Sequence, residues 1–455
     1  MEFSKFNIWA QDHPEKGDAL VYNSRTQALI RLDNGFKQDL VRFMGTPGVP
    51  ASGRVAESLA GLMQNGILVT DKEEEAAKTR DFFRALKAGT RRLPFEVTLL
   101  TTYACNFRCV YCFEESVKEG VLLDDKTARQ AVDWIMARIR EAGLTGVFVV
   151  FYGGEPMLNT RAIYLVAELL TKASWQAGVT FGCGMITNGS LLTPEFVNRM
   201  VPLGLKELRV TLDGDRAAHD AKRPFTDGRP SFDLIVRNLK DIADKVAVQI
   251  CSNVDRANLG SLPRLVDLLE TEGLLHKIKS LEFAPIMPRL GPKDRPGAVE
   301  LRECLPLVED EALFRDLLAV RREVLRRGVG FRSGLAINAC PLIMRDLGVT
   351  IDPLGRIYAC NSLVGYPDFS VGHVQDAPAS ARHTAFQDID AWKKCPADCS
   401  YLPLCQGGCR FFSYLENGNF SGLACKRAYL DRVIPELIKL EYDMLHAKAS
   451  AAAAP

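Results

Sequence analysis

Apolar and polar residues alternate through "DALVYNSRTQALIRLD", residues 18–33, on both sides of a polar "NSRTQ". That period of two with a turn-forming centre predicts a β-hairpin. The period then lengthens. In "NGFKQDLVRFM" the apolar positions Phe36, Leu40 and Phe43 recur at helical spacing. In "GRVAESLAGLMQNGILV" Val55, Leu59, Leu62 and Met63 share one helical face, Gly66 supplies a stop, and Ile67 to Val69 read as a short strand. Residues 1–72 are therefore expected to form a small winged-helix-like module. The charged stretch "DKEEEAAKTRDFFRALKAGTRR" is expected to be a solvated linker helix, with the linker placed at 73–93.

From residue 94 the texture becomes regular. Strand-like runs "FEVTLLTT", "GVFVVFYGG", "VTFGCGMITNG", "KELRVTLDG", "KVAVQICSNV" and "IKSLEFAPIM" alternate with helical patterns such as "DDKTARQAVDWIMARIREAG" and "SLPRLVDLLETEG". Six β/α repeats imply an α/β fold with a parallel sheet and crossover helices. No dinucleotide fingerprint follows the first strand, which argues against a Rossmann domain. A partial (β/α)6 TIM-like barrel over 94–329 fits, with its chemistry at the C-terminal ends of the strands. Residues 312–328 read as a further helix. From 330 to 430 the chain is rich in loops, Cys, Gly and Pro, as in a small domain held by metal instead of a large core. Residues 431–455 are expected to hold a closing helix, "LDRVIPELIKLEYDML", and a mobile tail, "AKASAAAAP", although the helix pattern begins slightly earlier.

Composition narrows the function classes. Hydrophobic content is 47%, charged content 25% and formal net charge +1. This is an ordinary globular balance, and without a basic excess or stripe no nucleic-acid partner is expected. No apolar run approaches the roughly 18 residues that span a bilayer, and "MEFSKFNIWAQDHPEKGDA" has no signal-peptide core. A cytoplasmic protein is expected, with no membrane partner. The 13 cysteines are many for that compartment and point to metal or redox chemistry, not disulfides. They cluster: three at 105–112 and seven between 340 and 425, with Cys183, Cys251 and Cys304 apart. Cys183 and Cys251 sit in strand patterns and read as buried hydrophobes.

Thiolates are soft ligands for iron–sulfur clusters, zinc or copper(I). The spacing Cys105-x3-Cys109-x2-Cys112 offers three, whereas a structural zinc site closes with four. A cubane cluster on three thiolates leaves one iron open. With the aromatic Tyr111 before the third cysteine, the stretch "YACNFRCVYCFEE" resembles the cluster loop of radical S-adenosylmethionine enzymes. The second strand ends in "YGGEP", similar to that family's Gly-Gly-Glu motif. The resemblance implies that Gly153, Gly154 and Glu155 bind the cofactor's methionyl amino group. It also implies that "TNG" from Thr187 and "VTLDG" with Thr211 occupy the next strand ends, with Thr187 counted among the cofactor-binding residues. Thr211 and Arg223, the latter in a "HDxxR" segment from His219, are the implied contacts to the cofactor carboxylate. The implied chemistry is one-electron cleavage of the sulfonium, giving a 5′-deoxyadenosyl radical that abstracts a substrate hydrogen.

The second cysteine group resembles the SPASM extension of such enzymes, which holds two auxiliary clusters and brings the implied total to three [4Fe-4S] clusters. By that resemblance Cys395, Cys399, Cys405 and Cys425 hold one auxiliary cluster, and Cys340, Cys360 and Cys409 supply three ligands of the other. The pair Cys395-x3-Cys399 departs from the family's usual Cys-x2-Cys. The fourth ligand of the second cluster stays open between a substrate thiolate and Cys304. Residue Asn361 stands where anaerobic sulfatase maturases carry an Asp base, and a carboxamide cannot take its proton. The layout is similar to peptide maturases of the six-cysteine-peptide and geopeptide types. There the N-terminal module captures the leader of a ribosomal precursor peptide as an added strand. The expected activity is crosslinking of the precursor's core, with a Cys thioether foremost. Carbon–carbon or carbon–oxygen crosslinks and formylglycine formation are the enzymatic alternatives. An iron–sulfur electron carrier or zinc scaffold is the non-enzymatic one. A reducing partner such as flavodoxin or ferredoxin is implied.

Overall fold

The computed structural model describes residues 1–46, 48, 50–89, 94–112, 120–286, 311–331, 335–337, 340–376 and 381–452. The chain divides into two compact units. One comprises residues 1–88, 333–340 and 389–455, and the other 89–332 and 341–388.

The first unit opens with β1 (Glu2–Phe3), β2 (Asn7–Gln11), β3 (Ala19–Asn23) and β4 (Leu29–Leu32). Strands β2, β3 and β4 pair antiparallel in that order, and the hairpin around "NSRTQ" sets Val21 opposite Ile30. Helices α1 (Asn34–Gly45) and α2 (Gly53–Gln64) follow, then β5 (Leu68–Val69), which pairs with β1, and α3 (Lys72–Ala88). Asp33 starts α1 by accepting the Phe36 N–H at 3.0 Å. Val21, Leu32, Phe36, Leu40 and Leu62 fill the core between sheet and helices. Buried Asn23 ties the pieces together. Its Nδ2 donates to Gly66 O at 2.7 Å and Asn7 Oδ1 at 2.9 Å, and its Oδ1 accepts the Arg25 and Thr26 N–H groups at 3.1 Å. Removing that amide would strand several buried groups at about 1–3 kcal/mol each. The stretch read as a solvated linker is packed on one face: Glu75, Thr79 and Phe83, four residues apart, are buried. The Phe83 ring stacks on Trp392 at 4.4 Å. A single buried stripe among so many charges carried little apolar signal.

The second unit is built on β6 (Phe95–Thr102), β7 (Gly146–Gly153), β8 (Thr180–Thr187), β9 (Leu205–Thr211), β10 (Ala247–Val254) and β11 (Ser280–Pro285). These strands are parallel neighbours in sequence order. The crossovers carry α4 (Asp125–Ala142), α5 (Thr160–Ala177), α6 (Pro194–Met200), α7 (Arg216–Lys222) with α8 (Phe232–Ile242), and α9 (Leu262–Thr271). Helices cover the sheet, so strands such as "GVFVVFYG" read as apolar runs. Helix α4 shows the local logic. Asp124 caps it by accepting the Thr127 N–H, Ala128, Val132, Ile135 and Ile139 face the core, and left-handed Gly143 ends it.

After α10 (Glu311–Arg326) the sheet continues beyond the six expected strands. Strand β12 (Gly348–Ile351) pairs parallel with β6, and β13 (Arg356–Tyr358) and β14 (Gly372–His373) extend it antiparallel. Helix α11 (Ala381–Gln387) follows. Four residues, "GVTI", were too few to stand out from a loop-rich surround.

Residues from 389 onward belong to the first unit, with α12 (Leu402–Cys405), α13 (Arg410–Asn417) and α14 (Arg427–Ala452). Helix α14 packs on β2, and His13 Nε2 meets Asp443 Oδ1 at 2.7 Å. It continues through the alanine-rich stretch read as a tail, consistent with alanine's helix propensity; residues 453–455 lie outside the described residues. Among the described residues no helix is long and apolar enough to cross a membrane.

Candidate active site

Cys105, Cys109 and Cys112 lie in the loop leaving the C-terminal end of β6. A short ladder ties this loop to the segment after α7. Arg108 N–H donates to Pro224 O at 2.9 Å, Val110 N–H to Lys222 O at 3.1 Å, and Thr226 N–H to Asn106 O at 2.9 Å. The Phe107 and Phe225 rings meet edge to face at 4.7 Å. None of the three forms a disulfide among the described residues, and Cys105 Sγ accepts the Phe107 N–H at 3.4 Å. Among the described residues no three His, Cys, Asp or Glu side chains converge on one metal-ion position. Fit to a cluster therefore rests on the donors. Three soft thiols share one loop, one already takes a backbone hydrogen bond, and the buried Arg223 guanidinium reaches the same loop at Tyr111. That donor set suits an iron–sulfur cluster.

The two glycines of "YGGEP" let β7 end against this loop. Gly153 has φ +133°, and a Cβ at Gly154 would collide with the Ala104 and Tyr103 carbonyl oxygens. Gly154 N–H donates to Thr102 O at 3.1 Å and Glu155 N–H to Ala104 O at 2.9 Å. Glu155 is fully buried with both carboxylate oxygens engaged. Oε1 accepts from Thr187 Oγ1 at 2.8 Å and Met157 N–H at 3.1 Å; Oε2 accepts from Asn188 N–H at 2.8 Å. Burial pushes its carboxyl above the usual range, against those three hydrogen bonds. Glu155 and Thr187 thus brace β7 to β8. Asn188 continues the brace into the cysteine loop, donating to Asn106 Oδ1 at 2.8 Å.

Arg223 and Thr211 are both buried, Thr211 at the last position of β9. Arg223 Nη1 donates to Tyr111 Oη at 2.5 Å and lies 3.7 Å from Asp213 Oδ2. Tyr111 Oη also donates to that Asp213 oxygen and accepts from Asn253 Nδ2 at 3.0 Å. Burial opposes the Arg223 charge, but Cys109, Tyr111 and Asp213 hold it, so its guanidinium stays well above the usual arginine range. Its buried Nε has no hydrogen-bond partner among the described residues. Asp213 is held from below: its N–H donates to His219 Nδ1 at 3.1 Å, and its Oδ1 accepts the Asn253 N–H at 2.7 Å. Sequence reasoning identified Arg223 and His219 but missed Asp213, Asn253 and Asn106. The "LDG" aspartate was the available signal; the two asparagines gave none.

The C-terminal cysteines divide between the units. Cys340, Cys395, Cys399, Cys405, Cys409 and Cys425 belong to the first, and Cys360, preceding a short turn from Asn361, to the second. Burial, then the neighbouring Cys405, Cys399 and Cys425, push Cys395 up to about 11. Cys405 is likewise raised by burial and feels Cys399 and Cys425. Cys395 and Cys399 both pack against the core of Phe6, Phe83 and Leu402. Cys183 and Cys251 are raised by burial to about 12 and about 11, as expected of structural thiols. Cys304 lies outside the described residues.

The family model of the radical SAM superfamily matches residues 99–255. The chain is 30% identical over 348 residues to the AdoMet-dependent heme synthase of Nitratidesulfovibrio vulgaris, spanning 70% of this chain and 88% of that one. It is 24% identical over 331 residues to the serine-type anaerobic sulfatase-maturating enzyme of Klebsiella aerogenes, spanning 67% and 77% respectively. Among solved structures, Streptococcus suis SuiB bound to S-adenosylmethionine matches at TM-score 0.55 and 15% identity, over 94% of this chain and 99% of that one. SuiB bound to its precursor peptide SuiA matches at TM-score 0.55 and 13% identity, over 93% and 99%. At such identities the likeness is one of fold.

Proposed function

The chain belongs to the radical SAM superfamily, a family of enzymes that use S-adenosylmethionine and a [4Fe-4S] cluster, and from that membership we propose that it is a maturase of ribosomally made peptides. The observation that carries this reading is the N-terminal antiparallel sheet, whose β4 edge has no partner strand among the described residues. Asn23 N–H bonds Ala28 O across the hairpin at 2.9 Å. By the alternation of an antiparallel ladder, the N–H groups of Leu29 and Arg31 then point away from β3. Such an edge suits a leader peptide added as a strand. The peptide-bound neighbour SuiB, alike in fold over nearly the whole chain, supports a substrate of that class.

Cys105, Cys109 and Cys112 would hold the cluster. Arg223 offers its free Nε to the cofactor carboxylate, with Thr211 near the same strand end. Gly153 and Gly154 keep the β7 end flush with the loop, and Glu155 with Thr187 fixes it from behind. When bound, the cluster and S-adenosylmethionine supply a 5′-deoxyadenosyl radical able to abstract a substrate hydrogen. The protein's part is to orient the peptide and exclude water. Cys395, Cys399, Cys405 and Cys425 are proposed as ligands of an auxiliary cluster. The product proposed is a Cys thioether.

Sulfatase maturation is the second reading, favoured by the likeness to the Klebsiella aerogenes enzyme. Asn361, with Oδ1 3.8 Å from Cys360 Sγ, counts against a base at that position. The test is anaerobic reconstitution followed by reduction with S-adenosylmethionine. Release of 5′-deoxyadenosine is expected, and its absence sinks the enzyme reading. A precursor peptide encoded beside the gene should then lose two hydrogens per crosslink by mass spectrometry. Leu29→Pro removes an outward N–H and should abolish precursor binding while 5′-deoxyadenosine release without peptide persists. Formylglycine on a sulfatase peptide instead would favour the second reading.

A further inference from the structure

Arg410, 1% exposed, is the largest fully buried side chain among the described residues. Every hydrogen bond it makes there goes to a main-chain carbonyl. Nη1 donates to Phe420 O at 2.9 Å and Gly422 O at 2.6 Å; Nη2 donates to Gly408 O at 2.8 Å and to Gly407 O; Nε donates to Gly408 O at 3.2 Å. The guanidinium therefore clasps two segments. One joins Cys405 to Cys409, and the other leads into Cys425. They already touch: Ala424 N–H donates to Gly407 O at 3.1 Å, and Gly408, at φ +88°, leaves no room for a Cβ against Ala424.

A buried cation without a carboxylate partner is costly. Carbonyl dipoles offset part of that cost but carry no net charge. Its neighbour in the chain is Cys409, and the segments it clasps carry Cys405 and lead into Cys425. The surroundings of this side chain are complete in hydrogen bonds and deficient in negative charge, and cysteine thiolates are what lies nearby to supply it.

We propose that Arg410 is the positioning residue and counter-charge of the centre held by the C-terminal cysteines. It fixes the Cys405–Cys409 and Cys425 segments against each other and sets an anionic, thiolate-ligated cluster beside a permanent cation. This rests on the reading of those cysteines as iron–sulfur ligands. A nearby cation favours the more negative, reduced state and so raises the reduction potential. Lysine keeps the charge without the fork of donors; glutamine keeps a donor without the charge.

The experiment uses the full chain carrying Cys105→Ala, Cys109→Ala and Cys112→Ala, so that bound iron reports on the C-terminal cysteines. This parent and its Arg410→Lys and Arg410→Gln derivatives are reconstituted anaerobically with iron and sulfide. Iron per chain is counted, and midpoint potentials are read by redox titration followed with electron paramagnetic resonance. Arg410→Lys, which loses the clasp and keeps the charge, should retain more iron than Arg410→Gln, with a midpoint nearer the parent's. Arg410→Gln should shift to lower potential or lose iron that Arg410→Lys retains. Equal midpoints and iron in all three proteins overturn the inference. So does equal loss of iron from both derivatives, because a purely structural clasp fails alike in each. A parent that takes up no iron removes the cluster reading and this inference together. A parent that takes it up, indifferent to Arg410→Gln, removes this inference alone.

Discussion

His219 is held in one protonation state by its neighbours. Nδ1 accepts the Asp213 N–H, so the ring proton sits on Nε2, which meets Ser231 Oγ at 3.0 Å, and that hydroxyl donates to Arg223 O at 2.7 Å. Burial, then the Arg223 charge, pushes the imidazole well below its ordinary range. The folded chain refuses a proton that the unfolded imidazole accepts near pH 6.5, so this stabilisation is complete above that range and is lost as pH falls through it. Thermal unfolding should therefore show a midpoint that drops between about pH 7 and pH 5, with a flatter slope in His219→Asn. Parallel slopes would refute the assignment. At Gly154 the constraint is steric. Gly154→Ala should cost about 1–3 kcal/mol and reduce iron bound at Cys105, Cys109 and Cys112, read by unfolding and iron counting. The glycines and cysteines were legible in the sequence because their spacing within a few residues is the signal. The partners of Glu155 were not. Thr187 and Asn188 lie some thirty residues on and meet it only through neighbouring strands.

The elements that hold the cysteine loop differ from those that announce it. Strands β6 to β11 were readable because parallel strands covered by helices leave long apolar runs. The three-bond ladder between residues 106–110 and 222–226 was invisible, since no periodicity marks an irregular segment pairing with another more than a hundred residues away. Phe225 supplies that ladder's side-chain contact. Phe225→Ala should remove about 1 kcal/mol of ring pairing and speed amide hydrogen exchange across residues 106–110, measured by mass spectrometry, while exchange in β9 stays unchanged. Uniform acceleration of both would show that the ladder is not a local unit. Strand β12 was missed for a related reason: its four residues take their place by pairing with β6, not by any pattern of their own.

At the scale of the molecule, both ends of the chain build one unit. Lys5 Nζ donates to Ala397 O at 2.9 Å, Ser24 Oγ to Ser400 O at 2.5 Å, and Lys87 Nζ to Asp390 Oδ1 at 2.6 Å. Phe6, Phe83 and Leu402 share a core to which Cys395 and Cys399 add their side chains. Sequence reading separated these ends by composition, because partnership across some three hundred residues leaves no local trace. Deleting residues 1–72 would therefore strip the packing of the C-terminal cysteines along with the β4 edge, which is why a single substitution at Leu29 is the sharper probe. A chain stopped after residue 388 should keep a protease-resistant sheet, while its first 88 residues are cut rapidly under limited proteolysis. Equal resistance of both would contradict a shared unit.

That partnership has a consequence for the order of events during synthesis. The first strands emerge from the ribosome long before the residues they pack against, whereas most of the parallel sheet emerges with its own neighbours. The N-terminal core must wait, partly uncovered, until translation is nearly finished. Cys395 and Cys399 meet Phe6 and Phe83 only then. Closure of that core becomes one of the last steps in the protein's assembly, and a nascent chain lacking those residues would present its earliest-made hydrophobic surface to chaperones for longest.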